Sequence, residues 1–140
     1  MKKTVLVALF CLICCSLQAQ VRFEMRSTEA LRQMALREGK PVFIELYGSW
    51  CRICLEMQRK VFSRKDVGVF MNRNFVSAQY DVGSMVGKSL MRQYGDGSVP
   101  LYLIFDARGA LLGRIEGGAA AEQFVEDLKR VLKHHNIERR

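Results

Sequence analysis

The chain has 140 residues, 49% of them hydrophobic, with 22 basic against 14 acidic side chains, and that length predicts one domain with its own core. The basic excess is scattered from Arg22 and Arg26 through Arg59, Arg73 and Arg92 to Arg108 and Arg114, with no like-charged block and no basic stripe interleaved with aromatics. Nucleic-acid binding needs a clustered face, so it is excluded, and the excess reads as a solvated surface with a mild preference for acidic partners.

Lys2-Lys3 open the chain, an apolar run follows from Thr4 to Leu17, and Gln18-Ala19-Gln20 come next. Basic start, apolar core and small residue predict a secretory signal peptide over residues 1–19, cut after Ala19. The run falls short of the ~20 residues of a spanning helix, which argues against an uncleaved anchor. Cys11, Cys14 and Cys15 lack the small residues that precede a lipid-modified cysteine. Residues 20–140 then make one domain, with Lys2 and Lys3 gone and a net charge of +6 (20 basic, 14 acidic). Of five cysteines, Cys51 and Cys54 remain, as suits a compartment that tolerates disulfides.

Ser27-Thr28 before Glu29, and Gly39 after Glu38, predict a helix between them, with Leu31, Met34 and Ala35 on its apolar face. Pro41 to Leu46 reads as a short buried strand closed by Gly48. Leu55 to Phe62 is a helix-forming run without Gly or Pro, and Ser63 caps a shorter helix from Arg64 to about Met71. Phe75 to Tyr80 alternates as a strand does. Ser84 to Tyr94 reads as a helix ended by Gly95, its methionines taken as core filler. Leu101 to Phe105 is a buried strand, Asp106 to Gly109 a hairpin turn, and Ala110 to Ile115 the return strand. Ala119 to His135 is an amphipathic helix with Phe124, Val125, Leu128, Val131 and Leu132 inward. This order predicts an α/β sandwich in three layers: a central mixed sheet, with two parallel strands and a hairpin, flanked by helices.

Between the first strand and its helix stands Trp50-Cys51-Arg52-Ile53-Cys54. A cysteine on the first turn of a helix faces unpaired N–H groups and the positive end of the macrodipole, and both favour the thiolate. The thiolate is the nucleophile of disulfide exchange, and a second cysteine one turn on can resolve the mixed disulfide. Arg52, between the two sulfurs in sequence, adds a cation that favours the thiolate modestly, because exposure screens it; the alternative is that it points away, toward Glu56 one turn along the helix. Two other readings stay open. An inert structural disulfide would close too small a loop to constrain the unfolded chain much. A zinc site needs about four ligands, and His134 and His135 lie at the far end of the chain.

The sequence resembles the thioredoxin family over nearly the whole of residues 20–140. Lys40 to Glu45 matches the family's first core strand, and Trp50-Cys51-Arg52-Ile53-Cys54 matches its Trp-Cys-x-x-Cys. Tyr94 to Pro100 resembles the loop before its cis-proline, Phe105 to Gly109 its hairpin, and Gly117 a glycine after its last strand. The opening helix and the run from Met57 to Phe62 are similar to the exported branch related to the C-terminal domain of the transmembrane thiol-disulfide interchange protein. The resemblance implies an oxidoreductase that needs no cofactor and no metal. Cys51 would attack and Cys54 resolve. Pro100 would be cis, so that Val99 can pair its backbone with a substrate strand, and Trp50 would shape the docking surface. Glu45, six residues before Cys51, would be a buried proton acceptor for the resolving thiol. The other reading of Glu45 is a surface charge on an edge. Expected partners are protein thiols and disulfides and a membrane redox partner. The expected place is the bacterial periplasm, as a monomer with no stable membrane insertion once the signal is cut.

The sequence departs from the family at Arg52-Ile53, where thioredoxin has Gly-Pro, and at Leu55, where many members carry Lys. Leu101 replaces the usual Thr, and Ser77 is taken to stand where thioredoxins pair a Lys with the buried acid. The competing function is a non-redox module that holds a peptide along Val99, with the disulfide inert.

Overall fold

A computed structural model of the protein describes Met1 and residues 20–138. The expected signal peptide therefore lies, apart from Met1, outside the described residues. The elements run β1 (Phe23–Glu24), α1 (Thr28–Glu38), β2 (Val42–Tyr47) and α2 (Arg52–Met57), which passes into a π-helical segment (Gln58–Phe62). Then come α3 (Lys65–Asn74), β3 (Val76–Asp81), α4 (Met85–Tyr94), β4 (Leu101–Phe105), β5 (Leu111–Glu116) and α5 (Ala121–Glu138). The sheet order is β1-β3-β2-β4-β5. β1, β3 and β2 run parallel, while β2–β4 and β4–β5 are antiparallel. This is the expected mixed sheet with one addition. β1 is a two-residue edge strand, too short to leave a periodic signature.

Local chemistry places the helix ends. Ser27 Oγ accepts the Ala30 N–H at 3.2 Å, and Gly39 closes α1 at φ 64°, a left-handed conformation that suits glycine. Ser84 Oγ accepts the Gly87 N–H at 3.0 Å to start α4.

β2 is the central strand, and its alternation sorts the two cores. Val42, Ile44 and Leu46 face a layer with Leu31, Ala35, Leu101, Leu103 and Phe105. Phe43 faces the other layer, with Met57, Phe62, Tyr102, Phe124 and Leu128. There the Phe43 ring stacks on Tyr102 at 5.7 Å and meets Phe62, Phe75 and Phe124 edge-on at 6.0 to 6.4 Å. Each such pair adds about 0.5–1.5 kcal/mol beyond its buried area. That aromatic layer seats α2 and the π segment, and so sets the height of the dithiol above the sheet. Glu45 shares the Phe43 face, because residues two apart on a strand point the same way. A carboxyl is thereby placed beneath the helix that carries the cysteines.

Met85 departs from its expected role as core filler, since it is 89% exposed. It is the first residue of α4, just past the end of β3. Leu90, Met91 and Tyr94, further along α4, do pack on the core.

Candidate active site

Cys51 is the N-cap of α2, with an extended backbone (φ −83°, ψ 108°), and its Sγ accepts the Cys54 N–H at 3.1 Å. The two cysteines are joined in a disulfide, with Cα atoms 5.3 Å apart. Both cysteines are buried, Cys51 at 7% exposure and Cys54 at 3%. Cys51 Sγ is 3.7 Å from the Val99 carbonyl oxygen, and the Val99–Pro100 peptide is cis. Sequence separation between the two is large, and β4 lying beside β2 closes it.

Apolar side chains rim the disulfide. Trp50 is 74% exposed, and Ile53 and Leu55 are about half exposed. Two glycines let these side chains lie close to the backbone. A Cβ on Gly48 would come 2.7 Å from Trp50 Cε2, and one on Gly118 would come 2.6 Å from Ile53 Cγ2. Met85 sits at the same end of the sheet, where the Val82 N–H donates to the Tyr47 carbonyl at 2.9 Å.

Glu45 is fully buried, which overturns the surface-charge reading. Its Oε2 accepts the side-chain amides of Gln79 at 2.6 Å and Gln58 at 3.2 Å, while Oε1 is buried without a partner among the described residues. Burial pushes the carboxyl up from 4.5 to about 7, against the pull of the Gln79 and Gln58 amides. Glu45, Cys54, Gln58 and Gln79 line one cleft of about 270 Å3, with Tyr47 and Ser49 at its edge. The opposed residue on β4 is Tyr102, whose hydroxyl burial holds well above its ordinary value and whose oxygen has no partner.

Two expectations need correction. The residue beside Glu45 on β3 is Gln79, not Ser77: the strand register pairs Ser77 with Phe43, two residue pairs earlier. The register follows from strand pairing, which local alternation does not reveal. Arg52 turns away from the sulfurs. Its side chain is 89% exposed and its Nε lies 3.3 Å from Glu56 Oε1, one helical turn on. It is a solvated ion pair rather than a cation held against a thiolate.

The sequence reading missed Gln58 and Gln79. Gln58 left a signal: it stands four residues after Cys54, on the same face of the same helix. The zinc alternative finds no ligand set, since no three His, Cys, Asp or Glu side chains are grouped to hold a metal among the described residues.

The chain belongs to the thioredoxin-like family, whose sequence profile matches residues 23–107. It is 31% identical over 106 residues to the thiol:disulfide interchange protein DsbD of Cronobacter sakazakii, covering 73% of this chain and 18% of that one. The chain thus spans under a fifth of the length of this relative. Among solved structures, a candidate disulphide-isomerase from Bacteroides thetaiotaomicron superposes with a TM-score of 0.74 at 26% identity, over 82% of this chain and 96% of that one. The oxidised C-terminal domain of Neisseria meningitidis DsbD shares the fold, with a TM-score of 0.64 at 22% identity, over 79% and 97%. Family, fold and the closed Cys51–Cys54 pair together support thiol-disulfide oxidoreductase chemistry.

Proposed function

We propose that the protein is an exported thiol-disulfide oxidoreductase that exchanges its Cys51–Cys54 pair with cysteines of protein substrates. The observation that carries this reading is the disulfide at a helix N-cap, with Val99 beside one sulfur and a buried carboxyl in the cleft that Cys54 lines. In the reducing direction Cys51 attacks a substrate disulfide as thiolate. One substrate sulfur leaves, and Cys51 holds the other in a mixed disulfide. Cys54 then gives its proton to Glu45 and attacks Cys51 Sγ. The second substrate sulfur leaves and is protonated. The substrate gains two electrons and the Cys51–Cys54 pair loses them. The reverse sequence oxidises a substrate. Electrons pass from sulfur to sulfur, so the cycle calls for no cofactor and no metal.

Trp50, Val99 and Pro100 form the docking side of this reaction. The exposed indole offers contact area, and the Val99 backbone offers strand-like hydrogen bonds to a peptide across the disulfide. Residues 1–19 direct the chain to the bacterial periplasm, and residues 20–140 work there as a monomer without a membrane anchor. Among the described residues no helix is long and apolar enough to cross a membrane. A membrane redox partner restores the pair after each turnover.

Equilibration in a series of glutathione buffers, followed by thiol counting, tests the reading. An oxidoreductase shows a midpoint in the range of physiological dithiols, between about −120 and −270 mV. A pair still oxidised far below about −300 mV would instead mark an inert disulfide in a peptide-holding module.

A further inference from the structure

Glu45 is held in an unusual way for a buried carboxyl beside a dithiol. Both of its bonds come from neutral amides, and both fall on the same oxygen: Gln79 Nε2 at 2.6 Å and Gln58 Nε2 at 3.2 Å, each to Oε2. The other oxygen, Oε1, is buried and has no partner among the described residues. The amides arrive from different elements. Gln79 is the β3 residue paired with Glu45 across the sheet, and Gln58 opens the π segment four residues after Cys54. A π turn shifts the register of a helix and often marks a functional site.

We infer that Gln58 and Gln79 are positioning residues, an amide clamp that fixes the Glu45 carboxyl by Oε2 and reserves Oε1 as the oxygen that accepts the Cys54 proton. This rests on the proposed role of Glu45 as proton acceptor. Lone pairs already engaged by two N–H donors are less basic than free ones, so the proton goes to Oε1. In the step itself the Cys54 S–H bond breaks and an O–H bond forms at Oε1. The Cys54 thiolate so formed attacks Cys51 Sγ of the mixed disulfide: the Cys51–Cys54 S–S bond forms, the bond from Cys51 Sγ to the substrate sulfur breaks, and that sulfur leaves as thiolate. The clamp holds the carboxyl still through this transfer, which matters because proton transfer needs hydrogen-bond geometry.

The clamp also sets when Glu45 is ionised. An amide donates to the carboxylate without adding a charge, so it offsets burial only in part. The titratable groups facing this carboxyl are Cys54 from α2, Tyr102 from β4 and Tyr47 at the edge of the cleft. From α5 the same core layer receives Phe124 and Leu128. No charged side chain is among the causes that move the Glu45 midpoint. A carboxyl clamped by amides alone is therefore poised near neutrality, where it is ionised in part and can both take and return a proton.

The test is carboxyl carbon NMR of Glu45 in the oxidised, full-length protein, titrated for wild type and three variants. This readout needs no redox turnover. Gln79→Leu removes the shorter bond and is expected to raise the proton affinity of Glu45 about tenfold, and Gln58→Leu about threefold. Gln79→Lys, which puts a cation in the same place, is expected to lower it. A purely structural role for the glutamines would leave all three midpoints at the wild-type value, and that result would overturn the clamp. Single-turnover release of the mixed disulfide completes the test. With the clamp, Gln79→Leu slows release and moves its pH midpoint upward in step with the NMR titration, while first attack by Cys51 is unchanged. A release profile that ignores the shifted titration would overturn the assignment of Oε1. Failure of the underlying reading shows separately: Glu45→Gln would then release substrate at the wild-type rate, whatever the glutamine variants do.

Discussion

The Glu45 carboxyl ionises at about 7 in the fold and at 4.5 when unperturbed, because burial disfavours the charge more than Gln79 and Gln58 favour it. The sign of the consequence is fixed by this order. The native state binds the proton more tightly than the unfolded chain. The contribution to stability is therefore complete below pH 4.5, shrinks as pH rises, and is gone above about pH 7. A shift of this size corresponds to about 3 kcal/mol. Glu45→Gln has no charge to bury. The stability of wild type relative to this variant should fall by up to about 3 kcal/mol between pH 4.5 and 7, then level off. Urea unfolding of the disulfide-closed proteins at several pH values measures it. A difference that stays constant over this range would mean that the carboxyl ionises at its ordinary value, in contact with water. Glu45 also shows what a single residue reveals in sequence. Its spacing of six before Cys51 is legible, and alternation puts it on one face of β2. Which side chains meet it there depends on the partner strand, so Gln79 stayed hidden and Ser77 was mistaken for it.

At the scale of the element, the N-terminus of α2 is the feature on which the proposed order of the two sulfurs rests. Cys51 caps the helix, and its Sγ already accepts the Cys54 N–H at 3.1 Å. Once reduced, that donor and the helix N-terminus lower the cost of a negative sulfur. Cys54 lies one turn inside the helix, away from that N-terminal donor. Brief iodoacetamide treatment of the reduced protein near neutral pH, followed by peptide mapping, should find label chiefly on Cys51. Label chiefly on Cys54 would reverse the two roles. Helices and strands like these were legible because their signals are local: Ser27 and Gly39 bracket α1, and Val42 to Leu46 is a continuous apolar strand apart from Glu45. The signal was absent where the cause is tertiary. β1 exists because β3 offers Phe23 and Glu24 an open edge. Met85 is exposed because α4 begins beyond the end of β3. Arg52 was placed correctly on the first turn of α2, but sequence position alone does not choose between a sulfur and Glu56 for its side chain.

At the scale of the molecule, the sheet ends, the cis-Pro100 loop and α2 together make one apolar rim around the Cys51–Cys54 pair, and the proposed function asks it to meet disulfides both small and large. For a small disulfide such as oxidised glutathione, the contact is little more than the sulfur itself. A protein substrate, under the proposed function, would cover the rim, and buried aromatic anchors dominate such contacts, often at more than about 1 kcal/mol each. Trp50 is the largest exposed side chain there. At 74% exposure it contributes little to the core, and its ring rests over Gly48 rather than in either hydrophobic layer. Trp50→Ala is therefore expected to change unfolding free energy by no more than about 0.5 kcal/mol, as surface substitutions do. The same change should lower kcat/KM for a protein disulfide about tenfold, and leave exchange with oxidised glutathione within about twofold of wild type. Insulin reduction and glutathione equilibration, run in parallel on the two proteins, give both numbers. An equal loss toward the two substrates would move Trp50 from docking to the chemistry of the Cys51–Cys54 pair. No loss toward either would leave Val99 and the edges of Ile53 and Leu55 as the surface that holds the substrate.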